Sequence, residues 1–181
     1  MGISSLKIEG RTKPFFYAAR TAQVYRKAID DAAAGVEFNE NLLEMLDSLS
    51  NRGYTEGFFQ RHASESMQNY EHGRSMANKQ QFVGDIIDRD EDGIIVDVKN
   101  KFGLNDELEL MTPTGNTVFN LNALLNQKSD SIEVAPGSGH VVKIPYAENR
   151  LGDRADQLTE HDHQYALLMK SVKSPAEPSL A

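Results

Sequence analysis

The sequence predicts an α+β protein, with a short strand and two helices at the front followed by a small all-β barrel or sandwich. Three observations carry this reading. Apolar residues recur at helical spacing as far as Leu49 and then, from Gln80, at a period of two. Gly35 and Gly53 stand where the two helices must stop. Seven short apolar-alternating runs bounded by turn residues then fill residues 82–169.

Taken in order, Leu6 and Ile8 alternate with Lys7 and Glu9 as in a strand, and Gly10 permits a sharp exit. Thr12 is the expected N-cap, with Pro14 in the first helical turn, where its missing N–H costs nothing. The helix should run to Ala34 and be closed by Gly35. Its expected buried face is Ala18, Ala22, Tyr25, Ile29 and Ala32, opened by Phe15 and Phe16, with Arg20, Lys27 and Asp31 elsewhere. A second helix follows residues 36–38, with Asn39 as cap and Leu42, Met45, Leu46 and Leu49 as its buried stripe. Residues 62–79 are polar and aperiodic and read as a linker.

The expected strands are 82–87, 94–98, 107–111, 116–121, 131–134, 141–144 and 165–169. Asp92-Gly93, Thr114-Gly115 and Pro136-Gly137-Ser138-Gly139 supply turns, and Asn105 before Asp106 takes a tight turn that Asn tolerates in the left-handed conformation. Residues 122–127 read as one helical turn, 147–164 as a charged excursion, and 174–181, with two prolines, as a disordered tail.

Composition narrows the function classes. The 181 residues allow one sizeable domain or two small ones, and no apolar run is long enough to span a bilayer. The first residues lack the apolar region of a secretory signal, so nothing routes the chain out of the cytosol, and the expected location is cytoplasmic. Leu6 stands where N-myristoylation needs Ser or Thr. Zero cysteines rule out disulfides, thiol nucleophiles and cysteine-ligated zinc or iron–sulfur sites within the chain. A net charge of −8 argues against nonspecific nucleic-acid binding. The charge is uneven: residues 1–36 carry +3 and the remainder −11, a hint of an anionic ligand at the front.

The strand-to-helix junction is where α/β enzymes place their chemistry, and it holds Glu9, Arg11 and Lys13. Arg11 offers a planar bidentate donor for carboxylate or phosphate and Lys13 a point charge, next to the N–H groups of a helix start. The structural alternative pairs Glu9 and Arg11 with neighbouring strands. Tyr54 and Phe58, with Phe59, could stack on bases or dock the linker against a core.

Other patterns are decoys. Asp88-Arg89-Asp90-Glu91-Asp92-Gly93 fits the start of a calcium loop, but the twelfth position is Lys99 and the flanks read as strands, which predicts an acidic β-turn. His161-Asp162-His163 lacks a third ligand, so no metal site is expected. Ile8-Glu9-Gly10-Arg11 spells a processing-protease site but continues into a native-looking helix. No nucleophile elbow or zinc-helix motif supports peptidase chemistry.

Four spaced stretches then carry a resemblance: Leu6-Lys7-Ile8-Glu9-Gly10-Arg11-Thr12-Lys13, residues 18–26, Arg52-Gly53-Tyr54-Thr55-Glu56-Gly57-Phe58, and Val98-Lys99-Asn100-Lys101-Phe102. In this order they resemble successive motifs of the collagenase-like peptidase family U32, closest to its bacterial branch implicated in tRNA 5-hydroxyuridine formation. The resemblance implies that 1–35 is the last strand and helix of a truncated TIM-type barrel, 36–80 a helical connection and linker, 81–172 a β-barrel similar to the second domain of elongation factor Tu, and 173–181 a tail. It also implies, for a full-length protein, an iron–sulfur centre held by upstream cysteines, prephenate, and tRNA as partner. This chain would then be a C-terminal fragment without autonomous catalysis, its barrel structural or substrate-positioning, and partnered by the missing N-terminal barrel. An exposed first strand and helix would invite self-association. The alternatives are a peptidase acting on proteins and a stand-alone interaction module.

Overall fold

The computed structural model describes residues 4–11, 13–47, 49, 80–151 and 164–172. The boundary between its two compact units falls between Lys79 and Gln80.

In the first unit, helix α1 spans Phe15–Ala33 and α2 spans Asn41–Asp47. Pro14, extended at ψ 156°, is the N-cap of α1 and supplies no side-chain hydrogen bond. The cap is therefore not Thr12, which stands two residues further back: the fixed φ of proline sets the entry instead. The C-terminal end follows the sequence. Gly35 adopts φ 72°, its N–H reaches the Ala32 carbonyl at 3.2 Å, and Val36 N–H reaches that of Asp31 at 2.9 Å. These are the two hydrogen bonds of a Schellman motif, available cheaply only to glycine. Asn39 caps α2 through Oδ1, which accepts the Asn41 N–H at 3.0 Å.

Two expectations fail here. Residues 4–10 form no regular structure and Leu6 and Ile8 are exposed, so the first strand is absent: an extended segment needs hydrogen-bonded neighbours, and no described strand pairs with it. The buried side of α1 is Arg20, Thr21 and Val24, and the expected face is exposed. Arg20 and Thr21 made the covered stripe look polar, but Thr21 Oγ1 donates its proton to the Tyr17 carbonyl at 2.8 Å, and the Arg20 guanidinium reaches Gln23 Oε1 at 3.3 Å.

The second unit consists of β1 Gln80–Arg89, β2 Gly93–Val98, β3 Phe102–Gly103, β4 Glu107–Thr112, β5 Gly115–Asn120, β6 Leu125–Asn126, β7 Val134–Ala135, β8 Val141–Pro145 and β9 Leu167–Ser171. Seven strands form one antiparallel sheet in the order β5-β4-β9-β1-β2-β8-β6, and β3 pairs with β7 separately. Val83, Val96, Leu108, Phe119, Leu121, Val142, Ile144 and Leu168 share one buried cluster. Phe119 stands on an edge strand and Val142 next to the opposite edge, so the sheet must curl around its own core. Bulges in β1 between Phe82 and Gly84 and between Ile86 and Asp88 supply the bend. Gly84 lies so close to β2 that a Cβ there would stand 2.5 Å from Val96 Cγ1.

The expected closed barrel is not observed. The sheet ends at β5 and β6, which do not pair with each other among the described residues, because β6 has only two ladder residues and reaches β8 alone. The strand expected at 131–134 reduces to a bridge between Leu125 and Ser131 and the short β7. The helical turn expected at 122–127 is also absent. Its backbone groups bond outward: Asn122 and Ala123 N–H donate to Asn149 Oδ1 at 2.7 and 3.1 Å, and Ile132 N–H donates to the Leu124 carbonyl at 2.9 Å. Asn105 does take φ 68° in its turn.

Asn149 is thus a buried clamp, 1% exposed, whose Nδ2 also donates to the Ala123 and Pro145 carbonyls at 3.0 and 2.7 Å. Asn149→Ala should destabilise the second unit by about 2–3 kcal/mol, because it leaves buried backbone groups without partners. Asn149→Asp should cost at least as much at pH 7, where a carboxylate faces those two carbonyls. Urea unfolding followed by circular dichroism measures both; losses within about 0.5 kcal/mol of the parent would show that the side chain is not the clamp.

Candidate anion-binding site

Glu9, Arg11 and Lys13 lie where the chain turns into α1. Lys13 N–H bonds the Gly10 carbonyl at 2.9 Å, which folds the segment over the first turn of the helix. Gly10 sits against the Tyr17 ring, since a Cβ there would be 3.5 Å from Tyr17 Cδ1. Lys13 Nζ stands over the same ring, 5.4 Å from its centroid. Tyr17, four residues on, therefore orients Lys13 by a cation–π contact. Sequence reading passed over Tyr17, although the i, i+4 spacing from Lys13 was the available signal.

Glu9 is not placed against Arg11. It pairs with Lys7 at 3.3 Å in an exposed ion pair of small energetic weight. Arg11 is exposed and makes no ion pair among the described residues. No acidic residue stands in the first turn of α1 and the N-cap offers no side-chain acceptor, so nothing from its own cap or first turn offsets the positive end of the helix dipole. The junction thus gathers Lys13, Tyr17 and the helix start, leaves Arg11 exposed, and engages Glu9 with Lys7. Such an arrangement can receive a carboxylate or phosphate. Tyr54, Phe58 and Phe59 lie outside the described residues, as do His161 and His163.

In the second unit three lysines close on carboxylates, as Arg26 and Lys27 do further along α1. Lys99 Nζ lies 2.6 Å from Asp97 Oδ2 and 3.5 Å from Asp85 Oδ2, Lys170 lies 2.7 Å from Asp106, and Lys143 lies 2.7 Å from Asp90 and 3.8 Å from Asp92. The Asp97 hydrogen bond holds the Lys99 ammonium above its ordinary pKa. These lysines are occupied by carboxylates and carry little unspent charge for phosphate.

The calcium-like stretch is a hairpin turn, as its flanks required. Asp90 Oδ1 accepts the Asp92 and Gly93 N–H groups at 3.0 and 2.9 Å, and Oδ2 accepts from Lys143. Among the described residues no group of three or more His, Cys, Asp or Glu side chains could hold a metal ion. With no cysteine anywhere in the chain, its residues do not fit an iron–sulfur centre, which would need thiolates from elsewhere.

The Lys143 hydrogen bond is the largest influence on Asp90 and lowers its pKa below the usual value. A carboxylate depressed in the folded state adds stability above its unfolded pKa, and that stability is lost as pH falls through the folded one. Half the Asp90 side chain is exposed, so solvent screening keeps the contribution small. Asp90→Asn preserves the Oδ1 turn acceptor and removes the charge. It should lower stability by less than about 1 kcal/mol at pH 7, and the difference should vanish near pH 2, as read from chemical unfolding at the two pH values.

Comparison with known proteins supplies the context. Residues 1–69 match peptidase family U32, and residues 78–154 match the peptidase family U32 C-terminal domain. The chain is 51% identical over 172 residues to tRNA hydroxylation protein P of Escherichia coli, covering 94% of this chain and 36% of that protein. It is 56% identical over 174 residues to the protein of the same name from Haemophilus influenzae, covering 95% and 35%. The C-terminal domain of a U32 protein from Geobacillus thermoleovorans aligns with 51% of this chain and 93% of its own, at 19% identity and a TM-score of 0.39. The chain spans about a third of the length of the curated relatives it matches.

Proposed function

The chain belongs to peptidase family U32, and from that membership we propose that it serves tRNA wobble-uridine 5-hydroxylation as the substrate-positioning part of a larger protein, without catalysis of its own. The observation that carries the reading is the identity of 51–56% to two tRNA hydroxylation proteins over almost the whole chain. In this reading residues 1–35 complete a TIM-type barrel, and the curled sheet is an accessory domain of the kind found as the second domain of elongation factor Tu. The iron–sulfur centre and its cysteines belong to the remainder of the protein. Arg11 and Lys13 contribute one edge of an anion site, for prephenate or a tRNA phosphate. The location is cytoplasmic, where tRNA is modified, and the exposed helix α1 adds self-association as a further kind of contact.

Peptidase activity finds no support among the described residues. Their single histidine, His140, uses its carbonyl to accept the Val98 N–H at 2.8 Å, and no Ser or Thr hydroxyl bonds its ring. The paired lysines of the second unit favour contact with protein, or a supporting role, over nonspecific RNA binding.

The test uses cells that lack their own hydroxylation protein and measures 5-hydroxyuridine-derived nucleosides in bulk tRNA by mass spectrometry. The chain alone should give none. The chain fused to the unmatched two-thirds of the E. coli relative should restore them, and Arg11→Ala with Lys13→Ala in that fusion should lower the yield about tenfold or more. Modification by the chain alone, or none from a folded fusion, would overturn the proposal.

A further inference from the structure

Lys13 stands just before Pro14, the N-cap of α1, where its own N–H bonds the Gly10 carbonyl at 2.9 Å. A lysine stem is long and flexible, so its ammonium has a defined place only where something holds it. Tyr17 is better fixed. It lies in the first turn of α1, its N–H donates to the Pro14 carbonyl at 3.0 Å, and its own carbonyl accepts the proton of the buried Thr21 hydroxyl at 2.8 Å. The half-buried Tyr17 ring meets the preceding turn at two points. Lys13 Nζ stands 5.4 Å from the ring centroid, and a Cβ on Gly10 would be 3.5 Å from Cδ1 and 3.9 Å from Cε1.

An aromatic ring beside two cations can do either of two things. It can stack on a base or another flat ligand itself, or it can set where a cation sits. The contacts favour the second. Lys13 already stands over the ring and Gly10 lies against Cδ1 and Cε1, so the turn occupies surface that a stacked ligand would need. Arg11 is exposed and makes no ion pair among the described residues, which leaves Lys13 as the cation of the junction whose place a ring defines. Both contacts lie within residues 10–17 and are made by this chain's own side chains and backbone.

We propose that Tyr17 is a positioning residue: its ring fixes the Lys13 ammonium, and through it one edge of the anion site, without touching the anion. The inference rests on the anion site of the function proposed above and adds the residue that sets its geometry. A cation–π contact near the surface changes an equilibrium by about two- to fivefold, which is the size of effect expected on whatever Lys13 holds.

Two measurements test this. In the 181-residue chain, proton NMR should find the Lys13 ε-methylene upfield of its random-coil position, because it lies over the ring. Tyr17→Phe should keep that shift and Tyr17→Leu should remove it. The second measurement uses the fusion to the unmatched two-thirds of the E. coli relative, reading 5-hydroxyuridine-derived nucleosides at limiting expression. Tyr17→Leu should lower their yield about two- to fivefold, and Tyr17→Phe should restore it. The Lys13→Ala background separates the two roles of the ring. There Tyr17→Leu should cost nothing further, since the ring acts only through the ammonium, whereas a ring that stacks on the ligand or merely props the helix would still cost its full factor. A parent fusion without activity would overturn the function proposed above, and the NMR measurement would still judge the hold of Tyr17 on Lys13. Circular dichroism confirms that α1 remains helical in each variant. A Lys13 ε-methylene at its random-coil position, full yield with Tyr17→Leu, or a further loss on adding Tyr17→Leu to Lys13→Ala would each overturn the proposal.

Discussion

The second unit depends on one constraint: among its described residues no helix covers the sheet, so the apolar face must be covered by other parts of the same sheet. Curling follows from that. The two bulges of β1, the close approach at Gly84 and the strand order that sets β1 between β2 and β9 all bring the ends of the sheet onto one core. Asn149 completes the enclosure by fixing residues 122–123, which carry the chain past the core at Leu121 and Leu124. The result is a unit whose hydrophobic core lies within its own residues.

The first unit has a different balance. Its described apolar residues below a tenth exposure are Val24, Leu42 and Leu49, while a continuous seam of α1 faces outward. The chain spans about a third of the length of the curated relatives it matches. In the sheet unit Lys99, Lys143 and Lys170 close on carboxylates, and in the first unit Lys7, Arg26 and Lys27 do the same, whereas the first turn of α1 holds no acidic residue.

Much of this was legible from sequence where one local rule dominates. Glycine at a helix C-terminus, asparagine as an N-cap or in a left-handed turn, and two-residue alternation located Gly35, Asn39, Asn105 and the longer strands. Failures came where tertiary partners decide. Residues 6–8 have the pattern of a strand without a neighbour to make them one. The covered stripe of α1 contains Arg20 and Thr21, whose polar side chains bond within the helix, so hydrophobicity pointed to the other stripe. Residues 122–127 have helical composition, but Asn149 takes the N–H groups of Asn122 and Ala123. At the candidate site the residue types were readable, while the partners were not: Glu9 turns to Lys7, and Tyr17 is what holds Lys13.

Native-state amide hydrogen exchange on the 181-residue chain, at a concentration where it is monomeric, tests most directly that one unit owns a complete core and the other does not. Amides of β1, β2, β4, β8 and β9 should exchange only through global unfolding of their unit. Those of α1 should exchange about a hundredfold faster or more, and residues 4–11 close to the rate of an unstructured peptide. Protection of α1 equal to that of the central strands would contradict the account.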